Sequence, residues 1–151
     1  MTARAIIVAA PRSGSGKTTV AVGLIGALAR RGIAVRAFKA GPDYIDAAFL
    51  AAASGTPAYN LDSWAMPSAL LDTAIHQAAA VADMLVIEGA MGLFDGIPGP
   101  PGRSGSTADL AVQFDIPVLL VLDVSGQSQS SARGTAFSPR TASATWIGRR
   151  A

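Results

Sequence analysis

The stretch from Val8 to Val20, VAAPRSGSGKTTV, places glycines, hydroxyl groups and one lysine in an order that suits phosphate binding. Glycines let successive backbone N–H groups approach an anion, and the N-terminus of a following helix adds a favourable dipole. A lysine can bridge terminal phosphates, and a threonine can offer its hydroxyl to Mg²⁺. The predicted phosphate-binding residues are Ser13, Gly14, Ser15, Gly16, Lys17, Thr18 and Thr19. Pro11 replaces the usual first glycine of G-x-x-x-x-G-K-[ST], but that position only shapes the turn.

Five acids and one lysine lie at the exits of apolar segments that are typical of buried strands. These residues are Lys39, Asp43, Asp46, Glu88, Asp95 and Asp123. In open parallel sheets ligands bind beyond the carboxyl ends of the strands, so these side chains are expected to face one crevice. Glu88, the only glutamate, is placed to hold a metal ion directly or through water. For Asp43 and Asp46 the alternative is a turn without function, and for Lys39 a solvated surface lysine.

The elements that must position these residues alternate along the chain. Short continuous apolar runs predict strands at Ala5–Ala10, Ala34–Ala40, Asp83–Ala90 and Pro117–Asp123. Helical spacing of apolar residues predicts helices from Gly16 to about Arg31, near Ala47–Ala53, from Ser68 to Val81 and across Thr107–Phe114. The segment GPDYID is predicted as a loop. This alternation predicts an α/β fold, with a parallel sheet covered by helices on both faces.

Composition limits the classes of partner that need to be considered. The chain has 151 residues and is 50% hydrophobic, which suits one ordinary domain. It has no cysteine, which excludes disulfides and thiolate metal sites and fits the cytoplasm, where we expect the protein. Four arginines in the last nineteen residues carry the basic balance, and residues 1–132 hold eight basic and ten acidic residues, a net charge of −2. Neither nucleic acid nor a membrane is an expected partner.

The α/β pattern stops after Ala132. Residues 133–151 show neither strand alternation nor an amphipathic face, so they are predicted to be a disordered basic tail. Residues 1–132 are predicted to form an incomplete domain, because a parallel sheet of four strands would leave an exposed edge.

Several segments together resemble the N-terminal domain of the cobyrinic acid / hydrogenobyrinic acid a,c-diamide synthases of corrin biosynthesis. They are APRSGSGKTTV, FKAGPDYIDAAF, NLDSW, VIEGAMGLFDG and STADLA, in the family's order between about Ala5 and Ala132. The resemblance implies a P-loop NTPase fold of the dethiobiotin-synthetase-like type and an ATP-dependent amidoligase. In that family ATP phosphorylates the a and c acetate carboxylates of the corrin ring, and ammonia displaces phosphate from each acyl phosphate. The ammonia comes from glutamine through a C-terminal glutaminase domain with a cysteine nucleophile, which this sequence lacks.

The resemblance also implies a role for each candidate residue. Ser13 to Thr19 would bind the ATP phosphates. The side chains implied to hold Mg²⁺ are Thr18, Asp43 and Glu88. The side chains implied to be catalytic are Lys17, Lys39, Asp46 and Asp95, with both lysines stabilising the transferring phosphoryl group and both aspartates acting around the reacting carboxylate. Phosphoryl transfer depends on positioning and charge neutralisation, which such residues supply.

Three other interpretations stay open. One is a nucleotide-driven switch similar to the plasmid-partition and division-site-placement ATPases, although those proteins have a lysine where this chain has Arg12 and a glycine where it has Ser13. Another is dethiobiotin synthetase, which needs no glutaminase. The third is an inactive fragment that binds nucleotide or nothing.

Overall fold

The computed structural model describes residues 3–125 and the backbone of residues 147–148. The strands are β1 (Arg4–Ala9), β2 (Val35–Ala40), β3 (Tyr59–Leu61), β4 (Met84–Glu88), β5 (Val118–Leu122) and β6 (Ile147–Gly148). The helices are α1 (Lys17–Arg30), α2 (Tyr44–Ser54), α3 (Ser68–Ala80) and α4 (Thr107–Phe114). The strand order is β3-β2-β4-β1-β5-β6, and all of these neighbours run parallel. None of the helices within the described ranges is long and apolar enough to cross a membrane.

Two apolar layers cover the sheet, one on each face. Ile7 and Ile87 belong to the layer that holds the buried side chains of α3 and α4. Their chain neighbours Val8 and Val86 belong to the opposite layer, together with the buried residues of α1 and α2. Consecutive side chains of a strand point to opposite faces, so a strand buried on both faces must be apolar throughout. The predicted α/β class, with helices on both faces, is confirmed.

The structure differs from the predicted elements at the first turn of α2. The helix begins at Tyr44 rather than near Ala47, so the second half of GPDYID is helical and not a loop. Asp43 is its N-cap, and its side chain accepts hydrogen bonds from two backbone N–H groups of that turn. A capping side chain satisfies donors that the helix itself cannot pair, which lets the helix start in a polar segment.

Two strands of the sheet were not predicted. β3 has only three residues and an exposed tyrosine, so it lacks the apolar run that marked the other strands. β6 lies inside the segment predicted to be a tail, where Ile147 pairs with Val121 and Gly148 with Leu122 of β5. The remaining residues of that segment, 133–146 and 149–151, lie outside the described residues. The disorder expected of them therefore stays a prediction.

Candidate nucleotide-binding site

The predicted phosphate loop connects β1 to α1. Gly14 and Gly16 have φ angles of 76° and 84°, a left-handed conformation that glycine adopts without steric cost. Gly16 is also the N-cap of α1, and because it has no side chain it leaves the first-turn N–H groups of the helix for an external acceptor. The first turn contains no acidic residue. The loop therefore presents unpaired backbone donors and a helix dipole to an anion.

Glu88 lies at the carboxyl end of β4 and is 0% exposed. In the sheet it stands opposite Val8 of β1 on one side and Lys39 of β2 on the other. Its Oε1 accepts a short hydrogen bond from the hydroxyl of Thr18. Its Oε2 is buried and has no hydrogen-bond partner among the described residues. A carboxylate oxygen without a partner, beside a threonine hydroxyl, provides the oxygen ligands that Mg²⁺ prefers, so these two residues fit the predicted metal.

Lys39 connects three segments of the site. Its Nζ donates to Oδ2 of Asp46 at 2.7 Å and to the carbonyl oxygen of Gly89 at 3.1 Å. The same Nζ lies 3.3 Å from Oε1 of Glu88. The ammonium group of Lys39 thus has two hydrogen bonds and an ion pair with Glu88 among the described residues. Lys39 is 2% exposed, so the alternative of a solvated surface lysine is wrong.

Lys17 is the second buried cation of this cluster, at 7% exposure. Burial lowers the pKa of Lys17, and the positive charge of Lys39 acts in the same direction. Burial likewise raises the pKa of Glu88, against the opposing effects of the Thr18 hydrogen bond and the charge of Lys39. Lys17 and Lys39 are the only lysines in the chain. The ammonium groups of Lys17 and Lys39 are both buried in this cluster, where an anionic ligand would stabilise their charges.

Two predicted carboxylates stabilise turns beside the cluster. Oδ1 of Asp43 accepts from the backbone N–H groups of Asp46 at 3.1 Å and Ile45 at 2.9 Å, and these hydrogen bonds lower the pKa of Asp43. Oδ2 of Asp95 accepts from the backbone N–H of Gly92 at 2.8 Å. Among residues 3–125 no three acids or histidines come together as a metal-binding group. A metal-binding role for Asp43 and a catalytic role for Asp95 therefore stay predictions.

Asp123, the last of the predicted strand-exit acids, follows β5. Its Oδ2 lies 3.1 Å from Nη2 of Arg12, so the pair connects the phosphate loop to the end of that strand. The Arg12 side chain is largely exposed, and exposed ion pairs contribute little to stability. The pair is therefore expected to contribute little to the stability of the fold.

The segment after β4, residues 89–96, packs directly against the phosphate loop. The backbone N–H of Leu93 donates to the carbonyl of Ala10 at 2.8 Å. A Cβ atom at Gly92 would lie 2.6 Å from the carbonyl oxygen of Pro11 and 2.7 Å from Oδ2 of Asp95. Real Cβ atoms do not come this close to a backbone oxygen, so glycine is required at this position.

Gly92→Ala is expected to destabilise the protein by about 2 kcal/mol, because the new methyl group must displace backbone of the phosphate loop. The matched control is Gly23→Ala in α1, where an added Cβ meets no atom within 4 Å. That variant is expected to gain about 0.5–1 kcal/mol from the higher helix propensity of alanine. Urea unfolding of both variants measures the difference. Equal effects of the two substitutions would show that the two loops do not pack as described.

Hydrogen bonds centred on Asp109 join two further segments near the site. Its Oδ2 accepts from the backbone N–H and the hydroxyl of Ser104, at 2.6 and 2.8 Å, and from the hydroxyl of Ser63 at 3.0 Å. Arg103 donates to the backbone carbonyls of Trp64 and Met66. These hydrogen bonds bring the segments NLDSW and STADLA together. Sequence reasoning assigned no role to their polar residues, and the resemblance was the one signal that marked them.

Residues 6–97 match the protein family described as CbiA, the CobQ/CobB/MinD/ParA nucleotide binding domain. The chain belongs to this family. Over 132 residues it is 61% identical to a hydrogenobyrinate a,c-diamide synthase of Mesorhizobium japonicum and 64% identical to one of Agrobacterium fabrum. Each comparison covers 87% of this chain and 30% of the relative. The predicted resemblance to the a,c-diamide synthases is confirmed, and the chain spans about 30% of the length of these curated relatives.

Solved structures of other proteins share the fold of this chain. The signal recognition particle receptor FtsY of Elizabethkingia anophelis superposes with a TM-score of 0.56 at 21% identity, over 87% of this chain and 45% of that chain. The hydrogenase maturation factor HypB of Archaeoglobus fulgidus superposes with a TM-score of 0.54 at 14% identity, over 83% and 56%. The predicted P-loop NTPase fold class is thus confirmed.

Proposed function

We propose that this chain is the ATP-binding part of an a,c-diamide synthase in cobalamin biosynthesis. Its substrate would be a corrin, hydrogenobyrinic or cobyrinic acid, whose a and c acetate carboxylates become amides. The observation that carries the proposal is the identity of 61–64% with hydrogenobyrinate a,c-diamide synthases over 87% of the chain. The contacts of Glu88 with Thr18 and Lys39 support it. The cluster lies beside a loop suited to triphosphate binding.

The proposed reaction has two steps. A carboxylate oxygen of the corrin attacks the γ-phosphorus of ATP, the bond from that phosphorus to the β–γ bridging oxygen breaks, and ADP leaves with the electron pair. Ammonia then attacks the acyl carbon, phosphate leaves with the electrons of the C–O bond, and the nitrogen gives one proton to a base. The carboxylate and ammonia supply the nucleophiles, so the protein needs to position groups and neutralise charge.

The buried cluster is suited to that task. Lys17 and the backbone of residues 13–19 would bind the phosphates, and the charge of Lys39 would oppose the charge that moves during transfer. Thr18 and Glu88 would hold Mg²⁺ with Asp43 as a third ligand, and the bound ion would neutralise phosphate charge. Asp46, fixed by Lys39, and Asp95 would act around the reacting carboxylate and the acyl phosphate.

Ammonia is proposed to come from glutamine through a glutaminase unit, as the resemblance to the a,c-diamide synthases implies. Ammonium salts can replace that unit in an assay. The reaction is expected in the cytoplasm, where ATP is available.

The test incubates the full chain with ATP, Mg²⁺, hydrogenobyrinic acid and ammonium chloride, and measures ADP and amide by mass spectrometry. The proposal expects ADP formation that depends on the corrin, and replacement of ammonium by hydroxylamine should trap the acyl phosphate as a hydroxamate. An equal rate of ADP formation with and without the corrin would favour the nucleotide-driven switch. Turnover with diaminopelargonate and bicarbonate in place of the corrin would favour dethiobiotin synthetase. Nucleotide binding without turnover of any of these would support the inactive fragment.

A further inference from the structure

The peptide unit between Gly89 and Ala90 is held at both of its ends. Its carbonyl oxygen, on Gly89, accepts the hydrogen bond from Nζ of Lys39 at 3.1 Å. Its N–H, on Ala90, donates to the hydroxyl oxygen of Thr107 at 3.0 Å. The C=O and N–H of a planar trans peptide point in opposite directions. Lys39 and Thr107 therefore hold opposite sides of one peptide plane, and rotation of that plane would break both hydrogen bonds.

The side chain of Thr107 packs closely against this peptide. It is 0% exposed, and its hydroxyl also donates to the carbonyl of Ala90 at 3.3 Å, so both hydrogen-bonding functions of the hydroxyl are used. A Cβ atom at Gly89 would lie 2.8 Å from Oγ1 and 2.9 Å from Cγ2 of Thr107. The side chain thus lies directly against the backbone that follows Glu88.

Capping of α4 does not explain this threonine. The N-cap of α4 is Ser106, whose hydroxyl accepts from the N–H of Asp109 at 3.2 Å. Thr107 follows the cap, and its hydroxyl bonds to the segment after β4 rather than to its own helix. The next residue, Ala108, donates its backbone N–H to the carbonyl of Leu93 at 2.9 Å. The first turn of α4 therefore holds that segment at two points.

We propose that Thr107 is a positioning residue for Lys39. Its hydroxyl sets the orientation of the Gly89–Ala90 peptide, and the carbonyl of that peptide keeps the ammonium group between Asp46 and Glu88. Without the hydroxyl the peptide can rotate, and the buried Nζ of Lys39 loses its hydrogen bond to the carbonyl of Gly89. The consequence for phosphoryl transfer rests on the proposed function, whereas the position of Lys39 is a property of the free protein.

The test uses the full chain with Thr107→Val, which removes the hydroxyl at nearly constant volume, and Thr107→Ser, which keeps it. Because the chain has only two lysines, brief acylation followed by peptide mass spectrometry compares Lys39 with Lys17 in one sample. Thr107→Val should raise the ratio of Lys39 to Lys17 labelling by about fivefold, as expected for the loss of one hydrogen bond. Thr107→Ser should retain the wild-type ratio.

Thr56→Val is the matched control, because Thr56 also donates its hydroxyl to a backbone carbonyl, that of Val35 at the other end of the sheet. It should leave the labelling ratio unchanged. General loosening of the fold would raise labelling of both lysines and keep their ratio constant. Amide hydrogen exchange at Ala90 should also quicken in Thr107→Val and return to the wild-type rate in Thr107→Ser. If Thr107→Val does not melt cooperatively, Thr107→Ala takes its place.

An unchanged ratio and unchanged exchange at Ala90 in a folded Thr107→Val protein would overturn the positioning role. In corrin-dependent turnover the same variant should lower kcat by about tenfold with little change in KM for ATP, because Lys17 and the loop backbone still bind the phosphates. Absence of turnover in the wild type, with the labelling result as expected, would reject the proposed function and retain the role of Thr107.

Discussion

Lys17→Ala is expected to lose the thermal stabilisation that MgATP gives to the wild-type protein. A ligand that binds only the native state, at about a hundredfold its Kd, stabilises it by roughly 2.7 kcal/mol. For a chain of this length that corresponds to a rise in Tm of roughly 5–10 °C. Lys17 is the first residue of α1 and is the one lysine of the phosphate loop, so its loss removes the charge that would contact the terminal phosphates.

Without nucleotide, the same variant should melt at the wild-type temperature or slightly above it. Burial and the nearby charge of Lys39 both lower the pKa of Lys17, so the charged form is less favourable in the folded protein without nucleotide than in the unfolded chain. Arg30→Ala is the matched control, because it removes one positive charge from the exposed C-terminal end of the same helix. It should keep the full rise in Tm with MgATP. A rise of wild-type size in Lys17→Ala would mean that ATP binds elsewhere.

Glu88→Gln is expected to separate stability from function. Glutamine has nearly the same shape but no charge. It therefore avoids the cost of burying a charged carboxylate, which is the main cause of the raised pKa of Glu88. Asp46 remains to pair with Lys39. At neutral pH the variant should therefore gain about 1 kcal/mol in free energy of unfolding, a common size for a single stabilising substitution. It should lose the Mg²⁺-dependent part of the response to ATP, because a neutral amide is a poor ligand for Mg²⁺.

The gain should depend on pH with a definite sign. The folded protein binds the Glu88 proton more tightly than the unfolded chain, so this group contributes its full stability below the ordinary glutamate pKa of about 4.3. That contribution is lost as the pH rises through the higher pKa of the folded protein. The advantage of Glu88→Gln over wild type should thus be largest at neutral pH and vanish in acid, as measured by urea unfolding across that range.

Asp115→Asn is the control for this prediction, because Asp115 is exposed beyond the end of α4 in a left-handed conformation that asparagine tolerates. It should leave both the pH profile and the Mg²⁺ response unchanged. A Glu88→Gln protein that is less stable than wild type at neutral pH would mean that the carboxylate stabilises the free protein through Lys39, contrary to the direction of its pKa.

The sequence was informative where burial imposes a pattern. β1 and β4 could be predicted because strands covered on both faces are apolar throughout, and the exit of β4 then marked Glu88. β3 was not predicted because it has only three residues, with a polar residue in the middle, and so forms no continuous apolar run. The start of α2 was not predicted because Asp43 is both a capping residue and a predicted metal ligand. The residue type alone does not distinguish these two roles.

The contacts within the site could not be predicted in the same way. Lys39 and Glu88 meet because β2 and β4 pair in a register that sets them side by side, which is a property of the sheet and not of either strand. The contact of Thr107 with Ala90 depends on how α4 packs, which no local pattern encodes. Sequence reasoning thus identified most members of the buried cluster, whereas their mutual positions come from tertiary structure.

The strand order also determines when the site can form during synthesis. β1 is synthesised first, but its neighbours in the sheet are β4 and β5. Ile7 can therefore pair with Ile87 and Val118 only after both of those strands have been synthesised. The β2-α2-β3 unit can assemble much earlier, because its strands are close in the chain and pair directly. A ribosome-bound chain that ends before Met84 therefore carries β1 as an unpaired apolar strand, exposed to aggregation and to chaperones. The cluster that contains Lys39 and Glu88 can therefore form only after β4 has been synthesised.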